Sequence, residues 1–213
     1  MKQLVTLASM ILLAFATMQS HAAGTLAGTN IANKATVTYN AGAGVVSQDS
    51  NTVNFPVQEM INASIVNQIT NDIAVGSGET GAYLKFILTN LGNGTEQFKI
   101  APANTAGDDF DVTFSNIYID NNDGNFVAGD ETLLVDGETT AVAPDQSITI
   151  WVTADIPNAL TDGNKSDVQI AAQSKTFLSL AIPDANPNQG DVADDVGDSS
   201  TDAVFGANGI IAS

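Results

Sequence analysis

The sequence predicts an all-β protein, folded as an antiparallel two-sheet sandwich. Short runs of alternating apolar and polar residues recur along the chain, Gly, Asn, Asp and Pro separate these runs, and no stretch shows a convincing helical period. Because side chains alternate between the two faces of a strand, each run is expected to bury one face. We expect about seven to nine strands, the number typical of such sandwiches.

The first 22 residues are typical of a secretory signal peptide. Lys2 supplies the positive charge, residues 4–15 are apolar, and Ser20 and Ala22 place small residues before Ala23. This apolar run is too short to span a bilayer. We therefore expect cleavage after Ala22 and a secreted protein, extracellular or at the cell surface.

Loss of the signal would remove the single histidine, His21, from a chain that has no cysteine and whose basic residues are all lysines. The usual proton shuttle at neutral pH, a thiolate nucleophile and soft metal ligands would then be absent. We expect a protein that binds or builds, with no catalytic residues and no organic cofactor. It is not expected to be an enzyme.

The chain is strongly acidic, with 24 Asp and Glu residues against six lysines, one of which is in the signal. Nucleic acid and anionic lipid would be repelled, because both require basic surfaces. Neither a nucleic-acid partner nor membrane insertion is expected. The acidic residues indicate either a solvated, aggregation-resistant surface or a dedicated acidic binding site.

Residues 23–58 are predicted to form an N-terminal hairpin or extension. Ala35, Val37 and Tyr39 alternate with polar residues, residues 40–44 are typical of a turn, and alternation resumes at residues 53–57. These features fit two arrangements. Ala35, Val37 and Tyr39 belong either to a polymerisation strand donated to a neighbouring subunit or to a hairpin inside one domain.

Residues 59–182 are predicted to form the sandwich. Trp151 is expected on the face opposite Ile150 and Val152. The Asp- and Asn-rich residues 183–203 predict an acidic loop, followed by a terminal strand within residues 203–211. The expected sandwich strands lie at residues 61–65, 83–89, 98–100, 110–114, 117–119, 148–152 and 168–172.

A second acidic loop lies between two predicted strands. Carboxylate and amide oxygens around a Gly turn are the ligands that calcium prefers, although the spacing is one residue short of an EF-hand. A metal-free, Asx-rich turn explains the same residues. The candidate calcium ligands are Asp120, Asn122, Asp123, Asp130 and Glu131.

Two further acidic groups are expected to be solvated turns. Asp108, Asp109 and Asp111 resemble a carboxylate pair for acid–base chemistry, but a turn between strands explains them better. The run from Asp191 to Asp198 indicates a solvated loop.

The segment from Ser77 to Gly94 resembles the opening of the conserved-repeat, immunoglobulin-like domain of unknown function in bacterial and archaeal envelope proteins. The matching positions are Gly78, Glu79, Tyr83, Thr89, Asn90, Gly92 and Asn93. The resemblance extends over residues 61–174. It implies an immunoglobulin-like sandwich in which Tyr83 is the inward aromatic residue, and it implies little about function.

The hairpin region resembles, more weakly, the N-terminal strands of TasA-type biofilm-matrix fibre subunits and archaeal bundling pilins. That resemblance implies donation of an N-terminal strand to the next subunit. We therefore expect a homopolymeric extracellular filament that assembles head to tail by strand addition. The alternative is a monomeric secreted or surface module that binds carbohydrate or protein.

Overall fold

The computed structural model describes residues 24–175 and, for the backbone only, three short strands beyond them. The expected signal peptide and most of the acidic stretch 183–203 lie outside the described residues. In residues 24–175 the strands are β1 (Asn30–Asn33), β2 (Thr36–Asn40), β3 (Val45–Asp49), β4 (Val53–Pro56), β5 (Glu59–Ile61), β6 (Ala63–Asn67), β7 (Ala82–Asn90), β8 (Phe98–Asn104), β9 (Thr113–Ile119), β10 (Thr132–Leu133), β11 (Ser147–Asp155) and β12 (Val168–Ser174). Beyond them lie β13 (Val192–Ala193), β14 (Ala203–Phe205) and β15 (Ile210–Ala212).

Two antiparallel sheets pack face to face, as the alternation predicts. One has the strand order β10-β9-β11-β7-β6 and the other the order β15-β12-β8. Their inner faces form a single apolar core. The buried members are Ala63, Ile65, Phe86, Leu88, Phe98, Ile100, Leu134, Val142, Ile150, Val152, Ile170 and Ala172. The predicted all-β sandwich is confirmed.

The aromatic residue that β7 turns inward is Phe86. Phe86 and Leu88 are 2% and 0% exposed, whereas Tyr83 lies on the outer face and is 48% exposed. Since faces alternate along a strand, Tyr83 and Phe86 must point in opposite directions. The expectation that Tyr83 is the inward aromatic is therefore wrong.

One strand, β9, lies where two were predicted. Opposite β11 the register shifts so that Thr153 pairs with Asn116 and Ala154 with Phe114, which makes Ser115 an extra residue. This bulge changes the phase of the alternation between Phe114 and Ile117. Val112 precedes β9, and its backbone N–H and C=O bond to the side chain of Asn104 instead of a strand.

The predicted terminal strand is divided between two sheets. β14 pairs in parallel with β5, whereas β15 pairs antiparallel with β12. Among the residues that the structure describes, no helix has the length and apolar character needed to cross a bilayer.

Candidate assembly surfaces and candidate metal centre

Residues 30–56 form a two-stranded ribbon, here called the arm. β1 pairs with β4 and, further out, β2 pairs with β3, and both pairs are antiparallel. A turn at residues 41–44 closes the tip, where Gly42 and Gly44 have positive φ. Eleven residues from Asn30 to Asn40 reach about 30 Å at the rise of a strand. Of these strands, β2 and β4 match the two runs of alternation seen in the sequence, whereas β1 and β3 are additional.

The arm does not bury its apolar side chains against the described part of the sandwich. Every residue from 28 to 56 is exposed. Near the tip, Val37, Tyr39 and Val46 share one face, and they are 61%, 52% and 39% exposed. Closer to the sandwich, Ile31 and Phe55 pair across the ribbon and are 41% and 48% exposed. Exposed apolar faces of this kind mark interaction surfaces.

Asn93 fastens to the sandwich the two chain segments that flank the arm. Its side-chain amide donates to the carbonyls of Thr25 and Gln58, both at 3.0 Å, and its Oδ1 accepts a bond of 2.7 Å from the Met60 N–H. Asn93 is 7% exposed, so these bonds are shielded from water. The arm therefore leaves the sandwich from a fixed base beside the end of β7.

The arm carries little charge in an otherwise acidic protein. Lys34 and Asp49 are its one base and one acid, and they form an ion pair of 2.8 Å. The Lys34 ammonium and the Thr36 hydroxyl hold the pKa of Asp49 below its usual value. The arm therefore has no net charge at neutral pH.

A groove of about 440 Å³ opens at the other end of the sandwich. It is lined by the end of β6, the start of β7, the end of β11 and the start of β12, together with residues 69–75 and 163–167. Val112, Ala154 and Ile156, which form a small apolar cluster, lie on its wall. Ile73 and Val75 line it and are 43% and 37% exposed. At the rim, Lys165 pairs with Asp72 and holds the pKa of that carboxyl low.

The loop after β9 covers Trp151 on the outer face of the five-stranded sheet. Phe126 from this loop packs against Trp151, with ring centroids 5.6 Å apart, and against Tyr83 and Tyr118. Lys85 lies over the Trp151 ring and donates to the Gly124 carbonyl. Trp151 faces away from Ile150 and Val152, as predicted, yet it is only 4% exposed because of this cover.

The same loop brings three carboxylates together. Oxygens of Asp120, Asp123 and Glu131 lie within 4.8 Å of one another, and Asp120 and Glu131 are buried. A metal ion can be held by such a group, because hard cations prefer carboxylate oxygens. Of the other candidate ligands, Asn122 has a positive φ and donates its N–H to Asp120, and Asp130 is exposed and lies outside the carboxylate group.

Asp108 and Asp109 fasten a neighbouring turn. The Asp108 carboxylate accepts from the Asp167 N–H and the Ser166 hydroxyl, and the Asp109 carboxylate accepts from the Lys165 N–H. Through these bonds the two residues hold residues 165–167 in place beside the groove. Asp111 is exposed. The acidic residues from Asp191 to Asp198 lie outside the residues with described side chains.

A pair of carboxylates lies at the base of the arm. Glu59 on β5 is partly buried, which raises its pKa, and the nearby Glu96 carboxylate raises that pKa further. This pair, the anchoring by Asn93 and the groove all depend on contacts between residues far apart in the chain, so no local sequence pattern indicates them. No protein-family model matches the chain, and no curated protein sequence is significantly similar to it.

Proposed function

We propose that the protein is an exported structural subunit of an extracellular filament or biofilm-matrix fibre, assembled head to tail by strand addition. The observation that carries this proposal is the arm, which presents apolar side chains to solvent along its whole length. The resemblance of residues 23–58 to strand-donating fibre subunits supports the same function.

An isolated two-stranded ribbon is only marginally stable in water. The arm is such a ribbon, and it also exposes the aromatic side chains of Tyr39 and Phe55, so contact with a partner would stabilise it. In the described chain, β1 and β4 form one two-stranded sheet and β2 and β3 another, so each strand keeps one unpaired edge. Such edges accept further strands, whose backbone hydrogen bonds provide affinity while alternate side chains provide specificity. Another copy of the protein is the proposed partner.

The position of the arm favours an open chain of subunits. Its base is beside Asn93, at one end of the sandwich, and every residue from 28 to 56 is exposed, so the arm does not pack against the described body of the protein. When the surface that donates differs from the surface that receives, successive contacts do not have to close into a ring. Repetition of such a contact produces a filament.

Sedimentation of the secreted protein tests this proposal. In the matched variant, an Asn-Gly turn replaces residues 30–56, because Thr29 and Val57 already bond to each other across the ribbon. We expect the wild type to form large assemblies and the variant to remain a folded monomer. A monomeric wild type that is retained on a glycan or a protein surface would instead support the alternative, a monomeric binding module.

We also propose that calcium is the ion held by Asp120, Asp123 and Glu131. The supporting observation is the convergence of three carboxylates, two of them buried, in a loop that packs over Trp151. Calcium binding would stabilise this loop on the outer face of the sheet, because the unfolded chain has no such arrangement of ligands.

A further inference from the structure

We propose that the groove at the far end of the sandwich receives the arm of a second copy of this chain. This inference rests on the proposed function and identifies its acceptor surface. The occupant is the apolar face of the arm that contains Val37, Tyr39 and Val46.

The two surfaces lie at opposite ends of the same strands. Asn90, at the end of β7, pairs with Ala63 close to the base of the arm, whereas Ala82, at the start of β7, lines the groove. A strand of nine residues separates these points by about 26 Å. An arm that leaves one end of a subunit is therefore placed to meet the groove of the next subunit in line.

One wall of the groove is formed by a small apolar cluster. Val112, Ala154 and Ile156 are themselves buried, and Phe110 and Val168 pack against them, yet all five lie on the wall of the groove. Ile73 and Val75 extend this apolar surface toward solvent. An apolar occupant would pack against this wall and remove the side chains of Ile73 and Val75 from water.

Charge favours the arm as the occupant. Two copies of a protein with a formal charge of −18 repel each other, and a neutral segment is the part of one copy that approaches another at least cost. The arm is such a segment, since Lys34 and Asp49 cancel. The charged residues that line the groove are Asp72, Lys165 and Asp167, so a neutral segment meets less repulsion there than an acidic one would.

Disulfide cross-linking tests the contact directly, because the natural chain has no cysteine. The double variant Val37→Cys, Ile73→Cys places one thiol on the arm and one in the groove, at positions 61% and 43% exposed. The control Val37→Cys, Val135→Cys moves the second thiol to a 74% exposed position that does not line the groove. Both single variants are included, and Trp151 fluorescence checks that each protein is folded.

Under mild oxidation we expect a ladder of disulfide-linked oligomers from the arm–groove variant and loss of that ladder in the control. A ladder of equal strength in both would overturn the inference. Dimers from Val37→Cys alone would do the same, since they would show contact between two arms.

Different results would reject the filament function and the arm–groove contact. Wild-type filaments without an arm–groove ladder would leave the filament in place and show that the arm is received elsewhere. Absence of both assemblies and ladder would remove the proposed function together with this inference. Occupation of the groove by a small ligand or another protein would give no arm-dependent ladder and would also overturn it.

Discussion

The indole N–H of Trp151 donates a hydrogen bond of 2.9 Å to Oδ1 of Asp120. Both residues are buried, so the bond links the outer face of the five-stranded sheet to the acidic loop without competition from water. The protein has no other tryptophan. Trp151 emission therefore reports on the state of this loop.

Calcium binding to the loop should change Trp151 fluorescence and raise the melting temperature. At a hundredfold excess over the dissociation constant, one site stabilises the folded state by about 2.7 kcal/mol. Any salt also screens the excess negative charge, so sodium and magnesium are compared at matched ionic strength. Equal effects from all three salts would show that the loop is a polar turn.

Two substitutions distinguish Asp123, which belongs to the carboxylate group, from the neighbouring Asp130, which does not. Asp123→Asn should weaken the calcium effect, because Asp123 belongs to the carboxylate group and is exposed, which spares the core. Asp130→Asn removes the same charge from a neighbouring position outside that group and should leave most of the effect. Loss of the calcium response in Asp130→Asn alone would reassign the ligands.

Asn93→Ala should destabilise the protein more than a polar-to-alanine change on the arm. It removes three hydrogen bonds and leaves the Met60 N–H and two carbonyls without this partner in a shielded position. The expected loss in free energy of unfolding is about 1–3 kcal/mol. Urea unfolding measures it against Asn54→Ala, which changes an exposed arm residue. Equal losses would contradict the anchoring role of Asn93.

Glu59→Gln should make stability less dependent on pH above the ordinary glutamate pKa of 4.5. Burial, and then the Glu96 carboxylate, raise the pKa of Glu59 in the folded protein, so the folded state keeps this proton to higher pH than the unfolded state. Stability from this group is therefore full below the unfolded pKa and falls as pH rises through the folded value. Glu59→Gln should be more stable than wild type at pH 7.

Thermal unfolding across this pH range provides the comparison for Glu59→Gln. Asp111→Asn is the control, because it removes one exposed acid from elsewhere on the surface. An identical pH dependence in wild type and Glu59→Gln would show that the burial of Glu59 does not affect stability.

Replacing the apolar face of the arm should slow or prevent assembly while the sandwich stays folded. Val37→Thr with Tyr39→Thr removes apolar surface and keeps residues that favour strands. Thr36→Ser with Thr38→Ser alters the opposite face of the same strand and should assemble as wild type does. Light scattering follows assembly. Equal rates of assembly in the two double variants would argue against recognition of the face that contains Val37 and Tyr39.

Local patterns predict much of the sandwich but not what its faces contact. Alternation places Phe86 and Leu88 on one face of β7 and Tyr83 on the other, yet it does not tell which face is buried. The resemblance to the envelope-protein domain assigns the inward position to Tyr83, and that assignment is wrong. The bulge at Ser115 divides the apparent period of β9 into two runs. For Val37 and Tyr39, the same alternation indicates a buried face, whereas in the described chain both side chains are exposed.

In the candidate site, too, local patterns predict some features, whereas contacts between distant residues are not predicted. Crowding of Asp and Asn after β9 predicts an acidic loop, and Asp120, Asp123 and Glu131 do converge. The groove is assembled from residues between Asn67 and Val168, so no local pattern indicates it. The anchoring of the arm by Asn93 likewise depends on contacts 33 to 68 residues away.

Negative-stain electron microscopy shows directly whether the arm builds filaments, when the secreted protein is compared with the variant in which an Asn-Gly turn replaces residues 30–56. We expect long filaments from the wild type and, from the variant, single particles similar in size to one sandwich. Trp151 fluorescence confirms that the variant keeps its fold. Dispersed single particles from the wild type, or filaments from a folded variant without the arm, would contradict assembly by strand addition.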